Sequence, residues 1–393
     1  MVPFSKSTQS MRSSEIRELL KLAVRPDVIS FAGGMPNNNL FPIKELDEIY
    51  SHLPSKLKKI GMQYGPTAGY PPLIESLKKY LSAKGLPIED NDLIITTGSM
   101  QAIYLLAKVF IDPGDRIITE YPCFIGATAA FNSFQPELES VPIDNDGIII
   151  SQLEKALSRP AKFLYLTPNF HNPAGIIYST ERKKQLLQLL QNREIILIED
   201  DPYNELYFNK EDKKLTTPMK TMEEPVPICY AGSFSKIFGP GMRLGWLLAP
   251  KKIIEKCELA KQAVDACSPT FTQVLANEFM RPDIMPKYLQ TLRTSYSRRL
   301  DLMLRSLKEY MPAEIKWTHP RGGFYVWLTF PEKIDATDVL KESIDNGAVF
   351  VIGKAFDPEA RRNNCLRLSF SYPPEDKIQE GIKIVADAIK LFL

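Results

Sequence analysis

From about residue 70 onward, short apolar runs alternate with helical stretches, and this alternation constrains the fold more than any other feature. Helical segments such as Gln101–Ile111 and Ser179–Gln191 lie between most of the runs. Continuous apolar strands separated by helices are typical of a mostly parallel sheet covered on both faces. The strand-like runs are Leu93–Thr97, Asp115–Thr119, Phe163–Leu166, Glu194–Glu199, Ile228–Ala231 and Leu244–Leu248. The sequence therefore predicts a three-layer α/β/α fold.

The chain is predicted to have three parts. Residues 1–45 form an N-terminal arm that contributes to a small domain, and Ser13 or Ser14 could cap a short helix in it. Residues 46–285 form the large three-layer domain, and a long helical region covers 251–310. After Pro320 the pattern changes to short strands and a terminal helix, so 286–393 are predicted to be a smaller α+β domain. Its strands are expected at Gly323–Leu328, Ala348–Ile352 and Leu366–Ser369.

Composition excludes several classes of partner. Of the 393 residues, 44% are hydrophobic and 24% are charged, which is typical of a globular protein. A net charge of +2 without a long basic run argues against nucleic acid and acidic membrane surfaces. There is no apolar signal segment and no membrane-length apolar run, so neither secretion nor a transmembrane span is expected. Five scattered cysteines predict reduced thiols in the cytoplasm, and three histidines without a ligand motif predict no metal.

One lysine, Lys236, lies in the run SFSKIFGPGMR at positions 233–243. The hydroxyls of Ser233 and Ser235 and the guanidinium of Arg243 can hold a phosphate near the amine, and glycine lets backbone approach it. A lysine that forms a Schiff base with an aldehyde cofactor needs such neighbours. Taken alone, the run fits a Gly/Ser loop with a solvated lysine equally well, so the other motifs decide.

A second motif begins where the run ILI at 196–198 leads directly into Glu199, Asp200 and Asp201, with Tyr203 close behind. A carboxylate at the carboxyl end of a strand can pair with a protonated ring nitrogen and keep it charged. A pyridinium held in this way is a strong electron sink. The alternatives are a helix cap and a magnesium site made by two carboxylates.

Three more segments follow predicted strands, at the sheet edge where α/β folds bind ligands. The run TTGSMQ at 96–101 opens a helix whose N–H groups and dipole suit an anion, although an ordinary capped turn explains it too. Asn172 could donate to a phenolate or carboxylate, or form a structural turn. Phe124 could stack on a flat ring or belong to the core. His171 is predicted to be structural.

Two arginines complete the candidates. Arg367 lies inside an apolar strand of the second domain, and a buried arginine needs a carboxylate partner from the protein or from a substrate. Arg17, in the arm, is exposed in most helical arrangements, so a surface role is the simpler interpretation.

Together these segments resemble the fold type I pyridoxal-phosphate-dependent aminotransferases of class I/II, in particular the α-aminoadipate/kynurenine and LysN-like group. The match runs from Ser30 to Ser371. The strings that carry it are SFAGGMPNNNLFP (30–42), MQYGPTAGYPPL (62–73), TTGSMQA (96–102), NPAG (172–175), EDDPYNELYF (199–208) and GSFSKIFGPGMRLGW (232–246). The resemblance implies the fold type I architecture and pyridoxal 5'-phosphate as cofactor.

The resemblance also implies a role for each matching cofactor residue. Lys236 would hold the cofactor aldehyde and shuttle the proton, and Asp200 would pair with the pyridine nitrogen. Tyr203 and Asn172 would contact the ring hydroxyl, and Phe124, where the family usually has tyrosine, would stack on the ring. The residues expected to hold the phosphate are Ser99, Met100, Gln101, Ser233, Ser235 and Arg243.

Substrate and partner residues follow in the same way. Arg367 would clamp the substrate α-carboxylate, with Asn172 and the Gly34 backbone nearby. Arg17 matches an arm arginine that reads acidic side chains in the LysN-like group. Tyr64 would reach the phosphate of the neighbouring subunit, so the resemblance implies a homodimer with shared active sites.

The resemblance implies that the protein is a cytoplasmic aminotransferase that works by a ping-pong mechanism. An amino acid with an aromatic, long aliphatic or 2-aminoadipate-like side chain would give its amino group to a 2-oxo acid such as 2-oxoglutarate. A β-eliminating lyase with the same cofactor is the alternative. A ligand-sensing domain of a transcription regulator is disfavoured, because such proteins carry an N-terminal DNA-binding module and the roughly 30 residues before Ser30 are not basic enough. A magnesium phosphotransferase lacks its phosphate-binding loop motif.

Overall fold

A computed structural model describes residues 3–9, 27–222, 226–359 and 361–393. Its strands are β1 (Ile29–Ser30), β2 (Asn91–Thr96), β3 (Arg116–Tyr121), β4 (Glu137–Asp144), β5 (Gly147–Ile148), β6 (Phe163–Leu166), β7 (Ile196–Asp200), β8 (Ile228–Ser233), β9 (Gly245–Pro250), β10 (Lys316–Trp317), β11 (Tyr325–Thr329), β12 (Ala348–Val349), β13 (Val351–Ile352) and β14 (Cys365–Ser369).

Helices separate most of these strands. The α-helices are Lys6–Gln9, Ile43–His52, Ser55–Gly61, Pro71–Ser82, Ser99–Phe110, Ile125–Asn132, Ile150–Ala156, Thr180–Leu190, Lys251–Gln262, Thr270–Phe279, Met285–Tyr310, Ala336–Asp345 and Ile378–Lys390. Short 3-10 segments occur at Asn38–Leu40, Lys210–Thr216, Met219–Thr221, Pro240–Met242, Gly353–Phe356 and Glu375–Lys377. Among the described helices, none combines the length and apolarity that a bilayer crossing requires.

The central sheet has eight strands in the order β2-β9-β8-β7-β6-β3-β4-β5. The five strands β8, β7, β6, β3 and β4 run parallel to one another. Strand β9 is antiparallel to both β2 and β8, and β5 is antiparallel to β4. The prediction of a mostly parallel α/β sheet is therefore confirmed, and β2 points in the same direction as the parallel strands.

Both faces of this sheet are buried, which explains its continuous apolar strands. Successive side chains point to opposite faces, so Leu164 and Leu166 of β6 enter one core cluster while Phe163 and Tyr165 enter the other. The helix Ser99–Phe110 packs on the second face. Each face is thus closed by its own layer of helices, as the three-layer prediction requires.

Strand predictions fail where a strand is less buried. All six predicted apolar runs correspond to strands with shifts of a few residues at their ends. Strand β4, which is flanked on its outer side only by the two-residue β5, was not foreseen, because its sequence ELESVPID carries charges and its ends are exposed. The long helical region predicted over 251–310 is divided into three helices.

A second sheet of four antiparallel strands, in the order β10-β11-β14-β13, lies C-terminal to the first. Strand β1, near the N-terminus, pairs in parallel with β12, with Ser30 opposite Val349. This pairing ties the start of the described chain to the C-terminal part. The predicted domain limits themselves stay a prediction, and the predicted helix after Ser13 or Ser14 lies outside the described residues.

The two sheets meet closely at two glycines. A Cβ placed on Gly175, whose φ is +70°, would lie 2.2 Å from the backbone oxygen of Tyr325. A Cβ on Gly34 would lie 1.9 Å from the Tyr325 hydroxyl. Only glycine allows such approaches, so the loop after β6 and the segment after β1 both come against β11. The candidate site lies at this junction.

Candidate active site

The site lies where the carboxyl ends of β2, β3, β6, β7 and β8 meet. Because these strands point the same way, the polar segments that follow them are brought to one edge of the sheet. The second sheet adds Arg367 and Tyr325 from the other side. The site is therefore assembled from residues that are up to 335 positions apart along the chain.

Lys236 lies in the turn after β8 and is only partly exposed. Its amine donates to the Gly34 carbonyl at 3.0 Å and lies 5.7 Å from the centre of the Tyr203 ring. Burial and the positive charges of Arg367 and Arg243 together lower the pKa of Lys236 to about 8, while Asp200 opposes them. Near neutral pH this amine is therefore unprotonated far more often than an ordinary lysine, as a nucleophile requires.

Asp200 ends β7 and is fully buried. Its Oδ2 accepts a hydrogen bond from the Tyr165 hydroxyl at 2.7 Å, whereas its Oδ1 has no hydrogen-bond partner among the described residues. Burial raises the pKa of Asp200 to about 7, against the hydrogen bond from Tyr165. Buried polar atoms are seldom left unpaired, so the free oxygen suits a charged N–H group of a ligand.

Asp201 does not share this site. Its Oδ2 accepts hydrogen bonds from Asn169, Asn204 and the Tyr230 hydroxyl, at 3.0, 2.8 and 2.9 Å. Neighbouring strand residues point to opposite faces of a sheet, and the two carboxylates are separated accordingly. The magnesium pair considered from the sequence is therefore not formed. Within the described ranges, no group of three or more His, Cys, Asp or Glu residues could hold a metal.

A candidate anion site lies between the end of β2 and the start of the helix Ser99–Phe110. Arg243 donates to the carbonyl of Thr97 at 3.2 Å, and its guanidinium would lie 3.0 Å from a Cβ on Gly98. Helix N-termini attract anions, and here an arginine is added beside one. After β8, the Ser235 N–H donates to the Ser233 hydroxyl at 3.1 Å.

Gln101 is engaged within the protein. Its side chain accepts from the Thr97 N–H at 2.8 Å and donates to Asp265 at 2.7 Å, and its own N–H donates to the Gly98 carbonyl at 3.1 Å. In this structure Gln101 stabilises the turn through these hydrogen bonds. The contact with a phosphate that the resemblance implies for Gln101 stays a prediction.

Arg367, on β14, is 2% exposed. It donates to Asn172 Oδ1 at 2.9 Å and to the Ala32 carbonyl at 2.5 Å, and it lies over the Tyr325 ring at 4.3 Å. Its Nε has no hydrogen-bond partner, and no carboxylate in the described part of the chain pairs with it. A buried guanidinium without a carboxylate is incompletely satisfied, so it is available to a substrate carboxylate.

Other predicted residues lie around these charges. The Tyr203 hydroxyl is 3.0 Å from that of Tyr325. Phe124 and Met100 lie together, since a Cβ on Gly126 would meet both at 2.4 and 2.7 Å. Tyr64 is 86% exposed and so is not enclosed within this chain's own site. Arg17 lies outside the described residues.

Several residues of the site were not anticipated. Tyr165 and Tyr325 lie within apolar strands, where a tyrosine is more often part of the core. Glu120, at the end of β3, is fully buried and accepts from the Tyr178 hydroxyl at 2.5 Å. It also lies 3.2 Å from Nε2 of His171, whose Nδ1 accepts from the Ala174 N–H at 3.1 Å. Nothing local in the sequence distinguishes these side chains from core residues.

The arrangement defines a class of enzyme. An amine of lowered pKa beside an unpaired carboxylate oxygen and an anion-binding helix start suits a phosphorylated aldehyde with a basic ring, and the buried arginine suits a carboxylate substrate. The family model for aminotransferase class I and II matches residues 36–385. The chain belongs to this family.

Individual relatives agree with this assignment. Aromatic-amino-acid aminotransferase 1 of Thermococcus litoralis is 40% identical, over 98% of this chain and 94% of the relative. The 2-aminoadipate transaminase of Thermus thermophilus is 34% identical, over 98% and 96%. The crystal structure of kynurenine aminotransferase from Pyrococcus horikoshii in complex with PMP superposes with a TM-score of 0.95 at 40% identity, over 99% and 97%. The predicted fold type I family is confirmed.

The lowered pKa of Lys236 generates a pH prediction. Reductive methylation modifies unprotonated amines, so in the cofactor-free protein the labelling of Lys236 should rise with pH through a midpoint near 8. Exposed lysines with an ordinary pKa should be labelled with a midpoint of about pH 10.4. Peptide mass spectrometry between about pH 6 and pH 11 measures both in one sample. A Lys236 midpoint that coincides with that of the exposed lysines would refute the lowered pKa.

Proposed function

We propose that this aminotransferase uses pyridoxal 5'-phosphate to move an amino group from an amino acid to a 2-oxo acid such as 2-oxoglutarate, in two alternating half-reactions. The side chains that we expect on the amino donor are aromatic, long aliphatic or 2-aminoadipate-like. Amino acid and 2-oxo acid are thus its small-molecule partners. The cytoplasmic location stays a prediction of the sequence.

The observation that carries the proposal is a pair of incompletely satisfied buried charges on either side of Lys236. Asp200 has one oxygen without a hydrogen-bond donor, and Arg367 has no carboxylate partner among the described residues. Leaving buried charges unpaired is costly, so both groups favour a ligand that supplies a cation at one end and a carboxylate at the other. A protonated pyridine ring joined to an amino acid has this pattern of charges.

The residues present fit the cofactor. Asp200 Oδ1 would accept the ring N–H, and Asn172 and Tyr203 would contact the ring hydroxyl. Phe124 would stack on the ring. The residues that would hold the phosphate are Ser99, Met100, Gln101, Ser233, Ser235 and Arg243. When bound, pyridoxal 5'-phosphate supplies an electron sink that stabilises negative charge at the α-carbon of the substrate.

Lys236 has two tasks in this proposal. Its unprotonated amine is the nucleophile that holds the cofactor, and once released it takes the proton from the substrate α-carbon and later returns a proton. Both tasks need an amine that is free near neutral pH, which the pKa of about 8 supports. Arg367 holds the α-carboxylate and so orients the α-carbon toward this amine.

The surroundings of Lys236 support an apolar substrate side chain. The side chains beside the amine are mainly apolar and aromatic, namely Leu40, Phe41, Phe238, Tyr288, Leu292 and Tyr296. Aromatic and long aliphatic groups are stabilised in such surroundings. The names of the relatives also support aromatic and 2-aminoadipate substrates. Arg17, which would read an acidic side chain, is outside the described residues.

A homodimer with shared active sites is part of the proposal. Met62 and Tyr64 are 83% and 86% exposed, and Ile43 and Tyr50 are exposed nearby. An exposed apolar surface of this kind often marks an interface, and Tyr64 would reach the phosphate held by the partner subunit.

Sedimentation should therefore give a species of two chains, and a Tyr64→Ala variant should bind the cofactor more weakly. A single-chain species with full activity would exclude shared sites.

The central test uses Lys236 itself. Wild-type protein incubated with pyridoxal 5'-phosphate and then reduced with borohydride should carry a label on the peptide that contains Lys236. Lys236→Ala should lose this label, and amino transfer to 2-oxoglutarate should fall by about 10⁴-fold or more, as expected for loss of a covalent catalyst. A variant that retains a tenth of the activity would refute the role.

Lys220 offers a matched control. It is also buried, its pKa is lowered to about 8 by burial, and its amine donates to the Ile228 carbonyl at 2.6 Å at the opposite end of β8. Lys220→Met should leave the label and the transfer activity in place.

The same assay with a β-substituted amino acid distinguishes an aminotransferase from the alternative lyase, since pyruvate release without amino transfer would favour elimination.

Arg367 provides a separate prediction. Arg367→Ala should weaken amino-acid binding by about 2–5 kcal/mol, because the substrate carboxylate would lose its partner in a desolvated site. Arg299 is the control, since it is also buried and its guanidinium bonds to the backbone carbonyls of Phe370 and Pro373. Arg299→Met should lower stability but leave the KM for the amino donor unchanged. Steady-state kinetics of both variants decide the matter, and an unchanged kcat and KM for Arg367→Ala would reject the assignment.

A further inference from the structure

We infer that Tyr165 is a positioning residue for the cofactor: its hydroxyl fixes which oxygen of Asp200 faces the ring nitrogen. The inference rests on the proposed function, because it assumes that Asp200 meets the ring. It concerns a residue on a neighbouring strand that acts through Asp200.

Tyr165 is held firmly in the position that this role requires. It lies on β6, opposite Ile198 of β7, and its side chain is fully buried. Its ring packs edge-on against Phe131, with centroids 5.5 Å apart and planes at 76°. The hydroxyl is 2.7 Å from Asp200 Oδ2 and 3.4 Å from the Thr167 hydroxyl. Such close packing leaves the phenol little freedom to turn elsewhere.

This hydrogen bond decides the orientation of Asp200. With Oδ2 occupied by Tyr165, the carboxylate has one remaining oxygen, Oδ1, that accepts from nothing in the described ranges. A carboxylate without this anchor could present either oxygen, or rotate away from the ring. Hydrogen bonds from supporting residues commonly orient the group that contacts a cofactor in this way.

The same bond opposes the electrostatics of the pocket. Burial, Asp201 and Glu120 all favour the protonated form of Asp200, whereas the hydroxyls of Tyr165 and, to a smaller extent, Ser99 stabilise the charged form. A protonated carboxyl could no longer hold a pyridinium by charge. Removing the hydroxyl therefore weakens the very interaction that makes the cofactor ring an electron sink.

The other face of the sheet supplies a matched control. Tyr230, on β8, is also almost fully buried, and its hydroxyl donates to Asp201 at 2.9 Å. Asp201 keeps two further donors, the amides of Asn169 and Asn204. The two tyrosines thus make similar bonds to neighbouring carboxylates, but only that of Tyr165 leads to the site.

The experiment measures the equilibrium Kd of the cofactor-free protein for pyridoxal 5'-phosphate, together with steady-state kinetics. For Tyr165→Phe, Kd should rise and kcat should fall, each by about 10- to 100-fold, the range for losing a hydrogen bond to a charged group. The KM for the amino donor should change less than about 2-fold, because Arg367 is untouched. Tyr230→Phe should lower the unfolding midpoint and leave Kd within about 2-fold. Equal Kd values for Tyr165→Phe and wild type would overturn the inference.

A double-mutant cycle tests whether Tyr165 acts through Asp200. Asp200→Asn alone should weaken cofactor binding, and adding Tyr165→Phe to it should change Kd by less than about 2-fold. A further 10-fold loss in the double variant would show a direct or general structural role and overturn the inference. If Tyr165→Phe alone does not fold, the comparison of the double variant with Asp200→Asn still shows whether Tyr165 acts through Asp200.

If the proposed function itself is wrong, the wild-type titration shows no binding of pyridoxal 5'-phosphate, before any variant is made.

Discussion

Burial of charged groups whose hydrogen bonds are incomplete is the constraint on which the rest of the site depends. Asp200, Lys236 and Arg367 lie close together, and the charge of Arg367 lowers the pKa of Lys236 while that of Asp200 raises it. Since isolated charges are unfavourable in a dry interior, the fold holds an arrangement that a ligand with complementary charges would stabilise. The binding of such a ligand and the stability of the folded site are therefore coupled.

The fold maintains this arrangement through contacts between its two sheets. Lys236 donates to Gly34, which is 202 residues away, and Arg367 donates to Asn172, which is 195 residues away. Gly34 and Gly175 allow both segments to come against Tyr325. A larger residue at Gly175 would push the loop after β6 away from β11, and one at Gly34 would push away the segment after β1. Arg367 would then lose its position relative to the Lys236 amine.

The sequence was informative where an element is strongly apolar or where a motif is local. The central strands were predicted because they are buried on both faces, and β4 was missed because it is only partly buried and carries charges. The residues around the helix start, Ser99 and Met100, and the lysine run could be proposed as site residues because their chemistry is visible within a few positions. Tyr165 and Tyr325 were missed because a tyrosine in an apolar strand looks like a core residue, whatever its hydroxyl contacts. Tyr64 is outside this chain's own site, and the sequence alone cannot place it against a partner.

By itself the sequence determined the alternation of buried strands with helices, the class of fold, and which side chains could carry the chemistry. These depend on burial patterns and on residues that are neighbours in the chain. Only the tertiary structure decided that Asp200 and Asp201 face opposite sides of the sheet, that one oxygen of Asp200 is free, and that Arg367 lies without a carboxylate partner among the described residues. These properties arise from contacts between distant segments, and such contacts exist only once the two sheets have packed together.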